Sequence, residues 1–286
     1  MKIGLLAPTV SPFADAEYLT VLGRAAEERG FESLWVPEHV VLFDDYSSRY
    51  PYAADGRVPV SGENGCLEPW TTLAFVASAT TTIRLGTGIC LVPQRNPVYL
   101  AKEIANVDYL SGGRVDLGVG IGWLAEEFRA VGVPWERRGA RTDAYLDVIK
   151  TCWCDDVSEH KSEFYELPAC RLYPKPAQDP HPPIHIGGES PAAMRRAARR
   201  GTGWFGFDRD PEAARAGIAD LERALADEGR PRSEVEVTIG PYMRQIDRDD
   251  VKRYADAGVD RLVVPAAAPN AAGLPAVLDE LAGRLS

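Results

Sequence analysis

A carboxylic acid and an imidazole stand side by side at Glu38 and His39, directly after the apolar run Ser33-Leu34-Trp35-Val36-Pro37. Histidine gains and loses a proton near neutral pH, so this pair at a strand end is a candidate general acid or base. The competing reading is structural, with His39 bonded inside its loop and Glu38 matched to an arginine. A second feature is Asp116-Leu117-Gly118-Val119-Gly120-Ile121-Gly122-Trp123, where glycine recurs at every other position. Such a strand has one face stripped of side chains, and a flat ring can lie against its backbone. No lysine follows, so it is not a phosphate-binding P-loop.

Two further turns invite a ligand. Ile184-His185-Ile186-Gly187-Gly188-Glu189-Ser190-Pro191 puts a Gly-Gly turn ahead of a helix with Ser190 at the N-cap and Pro191 in the first turn. Free backbone N–H groups and the helix dipole attract phosphate at such a point. Glu189 would oppose an anion unless it points away, and an ordinary capped turn is the alternative. Leu85-Gly86-Thr87-Gly88 offers either a tight turn or a close approach of backbone to a ligand. There is no Gly-x-Ser-x-Gly nucleophile elbow. The four histidines, His39, His160, His181 and His185, show no metal-ligand spacing, so no metal is expected. The five cysteines are scattered and odd in number, which fits reduced thiols better than a disulfide framework.

These residues need strands to carry them. Apolar runs lie at 3–7, 33–37, 83–88, 114–119, 184–187, 203–207, 235–240 and 261–264. They are continuous rather than alternating, as in strands covered on both faces. Helical patterns fill the gaps at 14–29, 69–80, 97–110, 142–153, 191–200, 211–228, 247–257 and 274–285. Alternating strands and helices predict a parallel sheet, and eight repeats in 286 residues predict a closed (β/α)8 TIM barrel, one domain over 1–286. A doubly wound nucleotide fold would need Gly-x-Gly-x-x-Gly after the first strand, where Ala7-Pro8-Thr9 stands instead. In a barrel the chemistry belongs at the C-terminal strand ends. An insertion at 40–65 follows a strand and so belongs on that face. Its Phe43, Tyr46, Tyr50 and Tyr52 suggest an apolar or planar substrate, or equally a hydrophobic anchor for the loop. A proline-rich insertion at 159–183 precedes a strand and has the length to reach back over the barrel.

The net charge of −10 argues against a nucleic-acid partner and against a polybasic membrane anchor. The N-terminus lacks a signal-peptide pattern, and no apolar run approaches the roughly 20 residues of a membrane span. A cytoplasmic protein acting on a small molecule is expected.

Taken in order, several segments make the chain resemble the luciferase-like flavin and deazaflavin oxidoreductases, most closely their coenzyme F420-dependent branch. The resemblance runs through Ser33-Leu34-Trp35-Val36-Pro37-Glu38-His39-Val40, Leu85-Gly86-Thr87-Gly88, Arg95-Asn96-Pro97 and Ser111-Gly112-Gly113-Arg114. It continues through Gly118-Val119-Gly120-Ile121-Gly122-Trp123-Leu124, Glu126-Glu127-Phe128, Arg138-Gly139-Ala140-Arg141-Thr142-Asp143, Leu172-Tyr173-Pro174-Lys175-Pro176 and Pro182-Pro183-Ile184-His185-Ile186-Gly187-Gly188. It implies a TIM barrel, often a homodimer, with a non-proline cis peptide at Gly88–Ile89 behind the cofactor ring. It implies that the cofactor lies along Ala7, His39, Gly88, Ile89, Gly120 and Gly122, with its phosphate at Gly187, Gly188, Glu189 and Ser190. His39, assisted by Glu38, would be the catalytic pair, and Trp35, Phe43 and Trp123 would shape the substrate pocket.

Some F420-dependent dehydrogenases carry a glutamate where Trp123 stands. Glu126 and Glu127 nearby are expected to sit on a helix and point elsewhere. The departure favours reduction of an unsaturated substrate, or oxygenation. The cofactor expected is F420, and the cluster Arg195, Arg196, Arg199 and Arg200 would suit its anionic tail, or would merely solvate a helix face. The alternatives are an FMN-dependent monooxygenase fed by a separate reductase, and a cofactor-free barrel used as a binding protein.

Overall fold

A computed structural model describes residues 1–10 and 14–286. The chain opens with β1 (Lys2–Leu6), α1 (Ala16–Glu28), β2 (Ser33–Val36), α2 (Pro69–Ala79), β3 (Arg84–Thr87) and the short β4 (Cys90–Leu91). Then come α3 (Pro97–Ser111), β5 (Val115–Gly120), α4 (Ala125–Ala130), α5 (Arg138–Cys154), β6 (Ser158–Lys161) and β7 (Glu166–Cys170). The last third is β8 (Ile184–Gly187), α6 (Pro191–Arg200), β9 (Gly203–Phe207), α7 (Pro211–Asp227), β10 (Glu236–Gly240), α8 (Arg248–Asp256), β11 (Arg261–Pro265) and α9 (Leu274–Leu285).

Eight parallel strands close in the order β1, β2, β3, β5, β8, β9, β10, β11 and back to β1. Each coincides with an apolar run of the sequence, and the helices between them, α4 excepted, overlap the helical patterns. The fold is the expected TIM barrel. Helix starts are set locally: Asp15, Asn96, Ser190, Asp210 and Asp247 each accept an N–H of the first turn.

The 159–183 insertion differs from expectation. Its first part is the antiparallel hairpin β6–β7 on the outside of the barrel, where Tyr165 meets Asn96 and Glu163 pairs with Arg137. Its proline-rich remainder passes beneath the barrel. There Ala177 and Gln178 donate their N–H groups to Asp108, and the Gln178 amide donates to Asp108 and to the Val115 carbonyl. The insertion seals the floor and does not cover the mouth.

The interior is layered. At the bottom Arg261, almost wholly buried, is matched to Glu32 and Glu236, while buried Asp116 accepts from Arg84 at 2.7 Å and stands 3.3 Å from His185. Above this lie Trp35, Phe205 and Val263. Trp35 is 0% exposed and donates to Ser33 Oγ at 2.8 Å. Gly86 makes room for it, since a Cβ there would stand 2.5 Å from the indole. Trp35 is therefore not in the substrate pocket. Its side chain points inward from the strand and fills the barrel one layer below the rim.

Burial alone would raise the Asp116 carboxyl, but His185 and Arg84 beside it more than reverse this and hold it below its ordinary value of 3.8. A depressed folded pKa adds stability that is complete above the unfolded value and is lost as pH falls below it. Asp116→Asn should therefore flatten the fall in melting temperature between about pH 4 and pH 2. Identical slopes for the two proteins, measured by thermal unfolding, would remove Asp116 from that ledger.

Candidate active site

At the C-terminal strand ends lies a cavity of about 520 Å³. All eight barrel strands or the loops just after them reach it. Of the residues expected from sequence, Ala7, Glu38, His39, Gly88, Ile89, Gly120, Gly122, Trp123, Gly187 and Gly188 all border it. Glu189 and Ser190 stand just behind the Gly187–Gly188 turn. The Gly88–Ile89 peptide is cis.

The alternate glycines of β5 have a different use from the one expected. A Cβ on Gly118 would stand 1.8 Å from the Thr87 carbonyl oxygen, and one on Gly120 would stand 1.9 Å from Ile89 Cδ1. The stripped face is thus filled by the end of β3. What borders the cavity is the backbone of Gly120 and Gly122, with the Ile89 side chain against Gly120.

Glu38 and His39 part company. Both Glu38 oxygens are engaged, one by the Arg95 guanidinium and the other by the Leu91 N–H. Glu38 therefore ties β2 to the chain after β3, the structural use anticipated as the alternative. His39 instead meets Glu127. Its Nδ1 is 3.3 Å from Glu127 Oε1, which also accepts from the Val40 N–H at 2.7 Å, and Glu127 Oε2 accepts from Gln94 Nε2 at 3.1 Å. Glu127 is fully buried on α4. The expectation that it points elsewhere is wrong: α4 is a single short turn placed so that this carboxylate turns back under His39. An oxygen that already accepts from Val40 takes a hydrogen from Nδ1, which leaves Nε2 as the free nitrogen of the ring.

The 40–65 loop covers one side of the mouth, held at several points. Glu126 accepts from the Ser47 N–H and the Ser48 hydroxyl, each at 2.7 Å. Trp123 takes the rings of Tyr46, Tyr50 and His39 at centroid distances of 5.6, 5.2 and 5.6 Å. Tyr52 packs on Phe207 at 4.9 Å and donates its hydroxyl to Glu189. The fastening at Tyr46, Ser47 and Ser48 carries the later part of the loop over the cavity, so that Tyr50, Tyr52, Val58 and Val60 line it. Phe43 precedes these anchors, does not border the cavity, and drops out of the predicted pocket.

At the β8 turn, Gly188 has a φ of 99°, a backbone that suits glycine. Ser190 caps α6 by accepting from the Ala193 N–H. Among the described residues, the N–H groups of Gly188, Glu189 and Ser190 meet no protein acceptor. Glu189 does not obstruct them, because its carboxylate is drawn to the Phe207 N–H and to Tyr52. Three of the four arginines expected at a tail site are otherwise employed, Arg196 pairing with Asp143, Arg200 with Asp147 and Arg199 with Glu228, while Arg195 is exposed. Those three knit α6 to α5 and to the end of α7, and do not form a tail site. Arg138, at the start of α5, is different. It stacks on Trp135 at 3.5 Å and donates to the Gly122 carbonyl, with no carboxylate beside it, and burial lowers its pKa.

Sequence reasoning missed Glu127, Gln94 and Arg138 as site residues. The usable signal was the Glu126-Glu127 pair so soon after the glycine strand, a spacing that keeps both acids within reach of the β2 and β3 ends.

A cavity at the C-terminal mouth of a parallel barrel, walled by glycine backbone and a held imidazole, is where a TIM-barrel enzyme carries its site. The chain belongs to the luciferase-like monooxygenase family, whose model matches residues 1–276. It is 32% identical over 250 residues to an uncharacterised protein of Mycobacterium bovis, covering 87% of this chain and 85% of that one. It is 31% identical over 242 residues to an FMNH2-dependent dimethylsulfone monooxygenase of Pseudomonas putida, covering 84% of this chain and 61% of that one. An F420-dependent secondary alcohol dehydrogenase, solved with an F420-acetone adduct, shares the fold with a TM-score of 0.77 at 17% identity, over 100% of this chain and 98% of that one.

If Glu126 holds the loop, Glu126→Ala should loosen the backbone around the already exposed Arg49 and Arg57 and speed their cleavage by trypsin, while leaving the melting temperature within about 1 °C, since contacts of this kind near the surface contribute little to global stability. Unchanged cleavage kinetics would show that the loop is held by its aromatic rings alone.

Proposed function

We propose that the chain is a coenzyme F420-dependent oxidoreductase that moves hydride between a deazaflavin and a small organic substrate, running towards reduction of an unsaturated one. The observation that carries this reading is the His39–Glu127 pair, a held imidazole in the cavity wall close to the Gly120–Gly122 backbone. The residues present fit the cofactor. The cavity lies within the roughly 300–1,000 Å³ of ordinary ligand sites. Unclaimed backbone donors stand at one end of it, where Gly187, Gly188 and the start of α6 would hold a phosphate, with Arg138 as the unpaired cation next to Gly122. Ala7, Gly88, Ile89, Gly120 and Gly122 would wall the ring.

Bound there, the deazaflavin supplies a hydride. His39 supplies the proton, because Glu127 fixes its ring by Nδ1 and leaves Nε2 to face the substrate. Glu127 also stabilises the charged imidazole that precedes proton release. The 40–65 loop covers part of the cavity and limits the access of water to it. Trp123 supplies an aromatic wall where some F420-dependent dehydrogenases carry a glutamate, and the loss of that acid favours reduction over alcohol oxidation.

A second reading, an FMN-dependent monooxygenase served by a separate reductase, draws on the kinship with the dimethylsulfone monooxygenase. It also draws on Arg196, Arg199 and Arg200 of α6, which are committed to ion pairs with neighbouring helices.

Titrating the protein with F420 and with FMN, followed by ring fluorescence, separates the two. Saturable F420 binding is expected, and tight FMN binding with no F420 binding would favour the second reading. In the cofactor-loaded enzyme, His39→Ala should lower turnover by roughly 10²- to 10⁴-fold. Unchanged turnover with cofactor bound would discard the proton-donor role.

A further inference from the structure

The entry of α5 is built more heavily than a helix start requires. Its N-cap, Arg137, has a φ of 57°, a left-handed backbone that a non-glycine residue adopts at a cost, and it supplies no side-chain cap. Such a residue persists only where its surroundings hold it, and residues of this kind gather at ligand clamps. The two central residues of the β6–β7 turn hold this one. The Ser162 N–H closes that turn on the Tyr165 carbonyl at 2.9 Å, with Glu163 and Phe164 between them. The Glu163 carboxylate takes both terminal nitrogens of Arg137, and the Phe164 ring lies 4.8 Å from the same guanidinium. Phe164 also meets Arg141 at 5.8 Å. Arg141 is buried and donates to the Pro134 carbonyl at 2.7 Å and to the Glu136 carbonyl at 3.2 Å.

The hairpin tip thus grips residues 134–137 from outside. On the inside the same segment presents Trp135 and then Arg138. Trp135 packs on Phe128 at 5.2 Å, and Arg138 stacks on Trp135 at 3.5 Å. Arg138 Nε donates at 3.2 Å to the carbonyl of Gly122, a residue of the cavity wall. Its terminal nitrogens meet no acceptor among the described residues. Burial disfavours an unpaired cation, so this half-buried guanidinium is the group that an anion would satisfy. The outer ion pair adds little stability, because Arg137 and Glu163 are both exposed. Its effect is geometric: it fixes the backbone one residue before Arg138.

We propose that the tip of the β6–β7 hairpin positions the anion site of the cofactor. Glu163 and Phe164 hold the entry of α5, and so keep the Arg138 guanidinium at the Gly122 edge of the cavity. Neither borders the cavity, so both are positioning residues that act through Arg138. This rests on the reading of Arg138 as a cation for the cofactor phosphate.

Ligand pairs that differ by their phosphate test it. FMN against riboflavin, and F420 against the phosphate-free deazariboflavin at its core, are titrated into the protein by ring fluorescence, and the affinity ratio within each pair is read. Arg138→Ala should lower that ratio by roughly 10- to 100-fold. Glu163→Ala combined with Phe164→Ala should lower it by roughly three- to tenfold and leave the phosphate-free ligand unchanged. Charge alone predicts the opposite sign, since loss of a carboxylate near a cation favours an anion. With Arg138 already replaced, the two hairpin changes should lower the ratio no further. A ratio that stays level or rises in the hairpin variant, equal losses for both members of a pair, or the same loss with and without Arg138 would overturn the proposal alone. If Arg138→Ala leaves the ratio unchanged, or neither ring binds, the reading of Arg138 fails and the proposal with it.

Discussion

The buried carboxylate of Glu127 is the point on which the catalytic face is assembled. It accepts from the Val40 N–H at the end of β2, from Gln94 after β3, and from the His39 ring between them. A wholly buried carboxylate is tolerated only when its oxygens are satisfied, and here donors from two strand ends do so. The same bonds fix the direction of His39, the start of the 40–65 loop and the seat of α4. Glu126, its neighbour in sequence, extends the arrangement outward by fastening Ser47 and Ser48. Two adjacent acids on one short helix thus set both the His39 ring and the loop beside it.

Behind this assembly is a constraint of space. The end of β3 crosses so close to β5 that only glycine fits at Gly118 and Gly120, where Thr87 and Ile89 take the volume of a side chain. That close approach puts Ile89 and the Gly120–Gly122 backbone on the cavity wall. Below, Trp35 occupies the room left by Gly86 and sits on the charged layer of Arg261, His185 and Asp116, so the cavity has a rigid floor.

The barrel was legible because its strands are continuous apolar runs, each followed by a helix with a readable cap or an N-terminal proline. The ring of glycines and His39 was legible for a related reason: these residues sit at strand ends, whose position follows from the strand pattern. Trp35 was misplaced because sequence does not say how deep in a barrel an inward side chain lies. Phe43 was misplaced because the path of a long loop depends on its anchors, and those anchors, Glu126 and Trp123, are distant in sequence. Glu127 was missed for the same physical reason. A helix of six residues has too little periodicity to reveal which face turns inward. The arginines of α6 looked like an anion site because their partners Asp143, Asp147 and Glu228 lie on other helices.

The orientation of the His39 ring tests this account most directly. Long-range nitrogen–proton correlation spectra of histidine-labelled protein, assigned by His39→Gln, report which ring nitrogen carries hydrogen, and the chain has only four histidines to resolve. The account predicts a proton on Nδ1 of His39 throughout, with Nε2 the nitrogen that gains and loses one, and predicts that Glu127→Gln disturbs this pattern. A His39 ring whose neutral form carries its hydrogen on Nε2, unaffected by Glu127→Gln, would contradict it.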